Sequence, residues 1–262
     1  MITSTTNPRV KRTVKLKHRK YRDLFGLTVV DGLREVRRAY QSGIELNEIF
    51  VCFDDLKVFG GQAVCDEVRS WGRELVEVST SVFEKMCFGD RTEGVLATCR
   101  IPRQGLDPAA LKADPLVVIL DQIEKPGNLG AILRSCDGAG VDAVIVTDLR
   151  TDIYNPNVIR SSTGTIFSMR IMQASAFETC QFLKERKIRI IAATPEGQQS
   201  YYMTDLTGAV AIVLGSEDKG LSDLWVQHAD IQMSIPMLGK ADSLNVSNTA
   251  AILVYEALRQ RR

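Results

Sequence analysis

Apolar residues follow two different rhythms along this chain. From Leu27 to Ile101, short apolar runs alternate with stretches of helical spacing. "GLTVVDG" predicts a strand, and "LREVRRAYQSG" a helix closed by Gly43. "NEIFVCF" predicts a second strand and "GQAVCDEVRSWG" a second helix. "ELVEVS" follows as a third strand, "TSVFEKMC" as a short helix opened by Thr80 or Ser81, and "GVLATCRI" as a fourth strand. Strands and helices at this spacing predict a small α/β sandwich. "PRQGLDPAALKADP" (Pro102 to Pro115) holds three prolines and breaks the rhythm. It reads as a linker between a domain at 1–101 and another at 116–262. From Leu116 the runs become continuous: "LVVIL", "DAVIVTD", "IRIIAAT", "AVAIVLG" and "DIQMSIP". Such runs suit strands buried on both faces of a parallel sheet. Helices are predicted near 129–139, 176–187, 220–228 and 247–260.

The last helix contains "AAILVYEAL", apolar at eight of nine positions. A helix on one side of a sheet needs a single apolar stripe. One that is apolar all round is covered on both sides, either inside a large domain or by another subunit. For a domain of this size the pattern points to a homodimer through this helix.

Composition narrows the class. No run approaches the ~20 apolar residues of a membrane span, and the first residues lack the apolar segment of a secretory signal. Six cysteines stand at 52, 65, 87, 99, 136 and 180 without a C-x-x-C pair, and His18 and His228 are far apart. This argues against a zinc site or a disulfide framework and for reduced thiols in the cytoplasm. The net charge of +1 hides an asymmetry: residues 1–22 hold Arg9, Lys11, Arg12, Lys15, Lys17, Arg19, Lys20 and Arg22 with no acid. A basic arm suggests a polyanion partner, with Arg34, Arg37 and Arg38 on the following helix as further contacts. A solvated helical face is the plain alternative.

Three segments fall at the C-terminal ends of predicted strands, the edge where open α/β sheets bind ligands. They are "DQIEKPGNLGAILRSCD" with Asn128 and Arg134, "IVLGSEDKGLS" with Leu214, Gly215, Glu217 and Gly220, and "IPMLGKADSLNVSNTAAIL" with Ile235, Met237, Ser243, Leu244 and Asn245. Each alone has a bland reading. Asn128 could cap a helix starting at Leu129, Arg134 could be an exposed helical residue, and Ser243, Asn245, Ser247 and Asn248 are all good helix caps. A dinucleotide-binding fingerprint is set aside, because "KPGNLGAILR" offers only Gly127 and Gly130.

Taken together, the order N-x-G-A-I-x-R-S-C-D, L-G-S-E-x-x-G-L, I-P-M-x-G-x-x-x-S-L-N-V-S resembles the SpoU/TrmH family of RNA 2′-O-ribose methyltransferases. The likeness covers about residues 116–260. It extends to "S-x-x-N-P-x-V-K" (Ser4 to Lys11) and "E-G-V-L-A", which resemble that family's L30e-like substrate-binding domain. "NPNVIRSSTG" and "AATPEG" are also similar to the thiopeptide-resistance rRNA methyltransferases. The resemblance implies an α/β SPOUT fold with a deep trefoil knot, against the general rule on knots. It also implies S-adenosylmethionine (SAM) as cofactor, an obligate homodimer and RNA, with 23S rRNA the expected target, as partner. Displacement of a methyl group from a sulfonium requires no metal, in line with the absence of metal-ligand spacing.

By the same resemblance Arg134 is the catalytic residue. A guanidinium with a pKa above ~12 is a poor base, so Arg134 is expected to orient the ribose and a neighbouring phosphate. Asn128 is expected to fix the loop and Arg134, and Glu217 to brace the knot loops through backbone N–H groups. Ser243 and Asn245 complete the catalytic surface. Thr194, Leu214, Gly215, Gly220, Ile235, Met237, Ser243 and Leu244 are the expected SAM contacts, largely through backbone. Arg9, Lys11, Arg12, Lys15 and Arg160 are the expected RNA contacts, with a surface-charge role equally open for Arg160. A tRNA-directed enzyme and a non-catalytic RNA-binding protein of the same fold stand as alternatives.

Overall fold

The computed structural model describes residues 1–71, 74–88, 93–102, 105–107, 109, 111–148 and 150–262. The chain forms two compact units, Met1–Pro102 with Ile153–Ser168, and Arg103–Asp152 with Met169–Arg262.

The first unit opens with α1 (Pro8–Lys15), where the Asn7 side chain accepts from the Arg9 N–H at 2.9 Å and Pro8 occupies the first turn. Then follow α2 (Arg19–Phe25), β1 (Leu27–Asp31), α3 (Leu33–Gln41), β2 (Leu46–Val51) and α4 (Phe53–Ser70). β3 (Leu75–Glu77), α5 (Thr80–Met86) and β4 (Val95–Arg100) complete the series. The sheet order is β1-β4-β2-β3, with β4 antiparallel to both neighbours and β2 parallel to β3. Two details differ from the pattern. α5 begins at Thr80, as expected, but Ser79 holds the preceding cap position and its side chain makes no capping hydrogen bond. α4 begins at Phe53 and runs through the non-helical Gly61 (φ 71°), so two helical pieces meet where one was expected. Asp54 and Asp55 in its first turn favour that earlier start. Gly72, the expected end of this helix, lies outside the described residues.

The basic arm is folded. Val10 and Leu16 are fully buried in a core with Val29, Phe50, Phe83 and Leu96.

The second unit begins with β5 (Leu116–Asp121), α6 (Pro126–Ala139) and β6 (Ala143–Thr147). The next helix, α7 (Pro156–Ser161), belongs to the first unit. There the Thr28 hydroxyl donates to the Tyr154 carbonyl at 2.6 Å. The second unit resumes with β7 (Ile171–Ala174), α8 (Ala176–Glu185), β8 (Arg189–Ala193), β9 (Gln199–Ser200) and β10 (Val210–Leu214). α9 (Asp223–His228), β11 (Ile231–Ser234) and α10 (Val246–Gln260) end the chain. The sheet order is β7-β6-β5-β10-β8-β11-β9, with every neighbouring pair parallel. Val117, Ile119, Ile145, Ile190, Ala211 and Val213 lie on the core face against α8 and Trp225.

Positions 103, 104, 108 and 110 of the expected linker lie outside the described residues. Leu106 and Leu111 pack on the second unit's core, and Lys112 pairs with Asp142 at 2.6 Å, so this stretch is tied to that unit.

On α10 the chain covers more than one stripe itself. Val246, Ala250, Leu253, Val254 and Ala257 are buried. Ala251, Ile252 and Leu258 are half-buried, and Tyr255 is 51% exposed. Among the described residues no helix is long and apolar enough to cross a membrane, and no cluster of metal-ligating side chains occurs.

Candidate active site

Parallel strands end together, and the loops leaving β5, β8, β10 and β11 meet at one edge of the second sheet. Between the last three lies a cleft of about 790 Å³. Its walls include Thr194, Leu214, Gly215, Glu217, Gly220, Ile235, Met237, Ser243, Leu244 and Asn245. All eight residues expected to contact the cofactor therefore line one cavity.

Close backbone approach shapes it. A Cβ on Gly215 would overlap the Gly220 carbonyl and the Leu221 nitrogen. One on Gly197 would overlap the backbone of Met233 and Ser234. Neither glycine has a positive φ, so both are required by space rather than by conformation.

Asp121 anchors the Gly220 loop from below. It is fully buried at the end of β5, accepts from the Thr147 hydroxyl at 3.0 Å, and accepts from the Ser222 N–H at 3.0 Å. The next residue, Gln122, has φ 53°, an uncommon conformation for a non-glycine residue. Arg150 clamps this turn, donating to Gln122 at 3.0 Å and Glu124 at 2.5 Å.

Above the cleft three side chains form a chain of contacts. α6 starts at Pro126 after Lys125, so Asn128 is inside its first turn and does not cap it. Its amide is free to donate to Glu217 Oε1 at 2.5 Å, while its carbonyl accepts from Asn245 Nδ2 at 3.3 Å. Asn245 also caps α10, its oxygen accepting from the Ser247 N–H at 2.9 Å and the Ser247 hydroxyl at 2.6 Å. The capping and the functional readings of Asn245 are thus both met by one side chain. Glu217 meets a side-chain amide rather than the backbone N–H groups expected of it. Its other oxygen, Oε2, is buried without a hydrogen-bond partner among the described residues.

Arg134 stands apart. It is exposed, does not line the cleft, and has no partner among the described residues. Asn128 does not hold it, because six residues along a helix turn a side chain by roughly 240°. Asn128 does not line the cleft either; it acts on the wall through Glu217. Ser243 is exposed at the cleft mouth.

The pattern reading missed Lys125, Glu196, Lys219 and Asp242, which also line the cavity. Glu196 follows the end of β8 in "AATPEG", a position that could have marked it. The Thr194 hydroxyl bonded to its carboxylate holds the Glu196 pKa below the usual range.

The expected RNA contacts divide sharply. Arg9 and Arg12 both pair with Glu48 at 2.6 Å, and Arg160 donates to the Phe88 carbonyl. On α3, Arg37 grips Glu67 with two bonds of 2.5 and 2.6 Å, Arg38 binds the Thr163 carbonyl at 2.7 Å, and Arg34 pairs with Glu35 at 2.8 Å. All of these guanidiniums have structural partners, and for Arg9, Arg12, Arg34 and Arg37 the partner is an acid that offsets the charge locally. Lys11 and Lys15 remain exposed.

The model of an MRM3-like substrate binding domain matches residues 7–97. A curated relative, the 23S rRNA (uridine(2479)-2′-O)-methyltransferase of Streptomyces viridochromogenes, is 31% identical over 94% of this chain and 87% of its own. Among solved structures, an RNA 2′-O ribose methyltransferase is 42% identical with a TM-score of 0.85, covering 99% of this chain and 98% of its own. The SpoU methyltransferase AviRb of S. viridochromogenes in complex with AdoMet is 28% identical with a TM-score of 0.87, covering 97% and 98%. The strands, the cleft and the Asn128–Glu217–Asn245 contacts all fall within residues 115–255, which match the SpoU rRNA Methylase family model, and the chain belongs to that family.

Proposed function

We propose that this protein is a SAM-dependent methyltransferase acting on a ribose 2′-hydroxyl of RNA, with 23S rRNA as substrate. One observation carries the reading: the loops after three parallel strands converge on a single cleft lined by every expected cofactor position. The donor set fits SAM. Leu214, Ile235, Met237 and Leu244 offer apolar walls and backbone groups, the Gly215 approach forms a tight cradle, and Glu217 Oε2 awaits a partner. SAM supplies an activated methyl group on a sulfonium. Thr194, Gly220 and Ser243 hold it from the loops, while Asn128 and Asn245 keep Glu217 aimed at the cleft. Arg134 orients the ribose and its flanking phosphate. The relative named for 23S rRNA supports that substrate over tRNA.

Several finer points belong to the same proposal. Residues 235–237 and 242–245 share the cleft with the loops after β8 and β10, which supports a trefoil-knotted threading of this segment. An experimental chain trace with that segment outside those loops would contradict it. Residues 1–101, joined by 153–168 rather than by these residues staying in the expected 116–262 domain, act as an L30e-like RNA-binding unit, 102–115 lead from it, and the second unit carries the chemistry. The six free, buried cysteines suit a reducing cytoplasm.

Ribose-methylation mapping of rRNA and tRNA with and without the protein is expected to give one protein-dependent site in 23S rRNA. A site in tRNA alone, or none, would count against the reading, as would failure to bind SAM in calorimetry.

A homodimer through α10 is part of the proposal, supported by Tyr255 and the half-buried Ala251 and Ile252 on its outer face. Val254 is no probe of that interface, because it lies fully buried in the chain's own core and Val254→Asp would unfold it. Tyr255→Asp is expected to release folded monomers with most activity lost, as read by light scattering and methyl transfer. A Tyr255→Asp variant that remains dimeric would place the interface elsewhere.

A further inference from the structure

The first unit carries exposed aromatic rings where its charge is most positive. Tyr21, half-buried, and Phe25, exposed, stack on each other on α2 with ring centroids 6.2 Å apart at an interplanar angle of 18°, so Tyr21 backs a shelf whose open face is Phe25. His18, the residue preceding the helix, stands edge-on to Tyr21 at 6.5 Å. Phe25 is 40% exposed and His18 is exposed, although the same helix buries Arg22 completely enough to leave it 2% accessible. A helix that can bury an arginine has a core side available, yet Phe25 and His18 are not on it and Tyr21 is only half covered. The Lys15 ammonium sits 5.3 Å above the Tyr21 ring, and Lys11 and Lys20 are exposed nearby in sequence. These lysines form no ion pair among the described residues, whereas the neighbouring arginines Arg9 and Arg12 do.

We infer that this shelf is a binding site for unpaired nucleotides of the RNA substrate. Bases present a π-face of any sequence to an aromatic platform, and flanking cations track the phosphates. A regular duplex keeps its bases stacked on each other and has none to offer. The site therefore selects a loop, bulge or single strand. Such a segment is also one whose ribose is open to attack. This inference rests on the proposed RNA methyltransferase function and adds the structural class of the RNA.

The test uses the full chain and two probes: a 12-nucleotide RNA of mixed, non-pairing sequence, and the same RNA as a blunt duplex. Fluorescence anisotropy gives both affinities. Tyr21→Ala and Phe25→Ala are each expected to weaken single-strand binding about tenfold, the usual loss per stacked base. Duplex binding should change less than about twofold. Phe25→Tyr should retain single-strand affinity, which a merely disturbed helix would not. Replacing Lys11, Lys15 and Lys20 together with alanine should flatten the salt slope by about two, while the aromatic variants leave that slope alone. Equal losses on both probes, or no loss on either, would overturn the shelf. So would aromatic-dependent binding to phosphatidylglycerol vesicles without any RNA effect, which would make the surface a membrane contact. SAM calorimetry on the same variants separates the two levels. A wild-type chain that binds neither SAM nor RNA refutes the function itself, whereas intact SAM and RNA binding with unaffected ring variants refutes only the shelf.

Discussion

Arg134→Ala is expected to slow methyl transfer by on the order of a hundredfold to a thousandfold, the usual effect of removing one preorganised donor at a reacting centre. SAM affinity should change by less than about twofold, because Arg134 does not line the cleft. The side chain is exposed and has no partner among the described residues, so its loss disturbs no packing. Arg134→Lys should also be poor, since a single ammonium does not reproduce the two-pronged guanidinium grip on phosphate and sugar oxygens. Single-turnover rates at saturating SAM, with calorimetric SAM affinities, check both. A lysine variant of near-normal rate would contradict the positioning role. A parallel loss of SAM affinity would move Arg134 from the RNA to the cofactor.

Gly215→Ala should act in the opposite way. The new methyl would overlap the Gly220 carbonyl and the Leu221 nitrogen, which are backbone atoms held in turn by Asp121 through Ser222. A flexible side chain could swing away, but this loop cannot without breaking that anchor. SAM affinity is expected to fall at least about a hundredfold, with a stability loss of roughly 1–3 kcal/mol typical of overpacking. The first unit does not depend on this loop, so RNA affinity should persist. Calorimetry and thermal melting read the two effects. Normal SAM affinity in this variant would show that the loop is not the cofactor cradle.

The parts of this molecule that were legible in the sequence are those fixed by local pattern. Apolar runs marked β5, β6, β8 and β10, and in a parallel sheet the strand ends converge, so the edge that holds the cleft was legible from pattern, whereas the individual cofactor positions came from the family resemblance. β9 is two residues long, too short to carry a pattern, and β7 was not marked by its short apolar pair Ile171–Met172. α7 was passed over although Asn155 and Pro156 gave a usable cap signal. Partnerships were not legible, because they join residues distant in sequence. Arg37 meets Glu67, Arg38 meets Thr163, and Asn128 meets Glu217 across 30, 125 and 89 positions. Those pairings give Arg37 and Arg38 intramolecular partners that the pattern did not show. On α10 the pattern revealed an all-round apolar helix but could not tell which face the chain covers itself.

The chemical identity of the product distinguishes ribose from base methylation. The full chain should be incubated with rRNA and SAM carrying a tritiated methyl group, and the RNA then digested completely to nucleosides. The label is expected in one 2′-O-methylnucleoside, in wild-type reactions and not with Arg134→Ala. Label recovered on a base, or no label transferred by a chain that binds both SAM and RNA, would contradict ribose 2′-O-methylation.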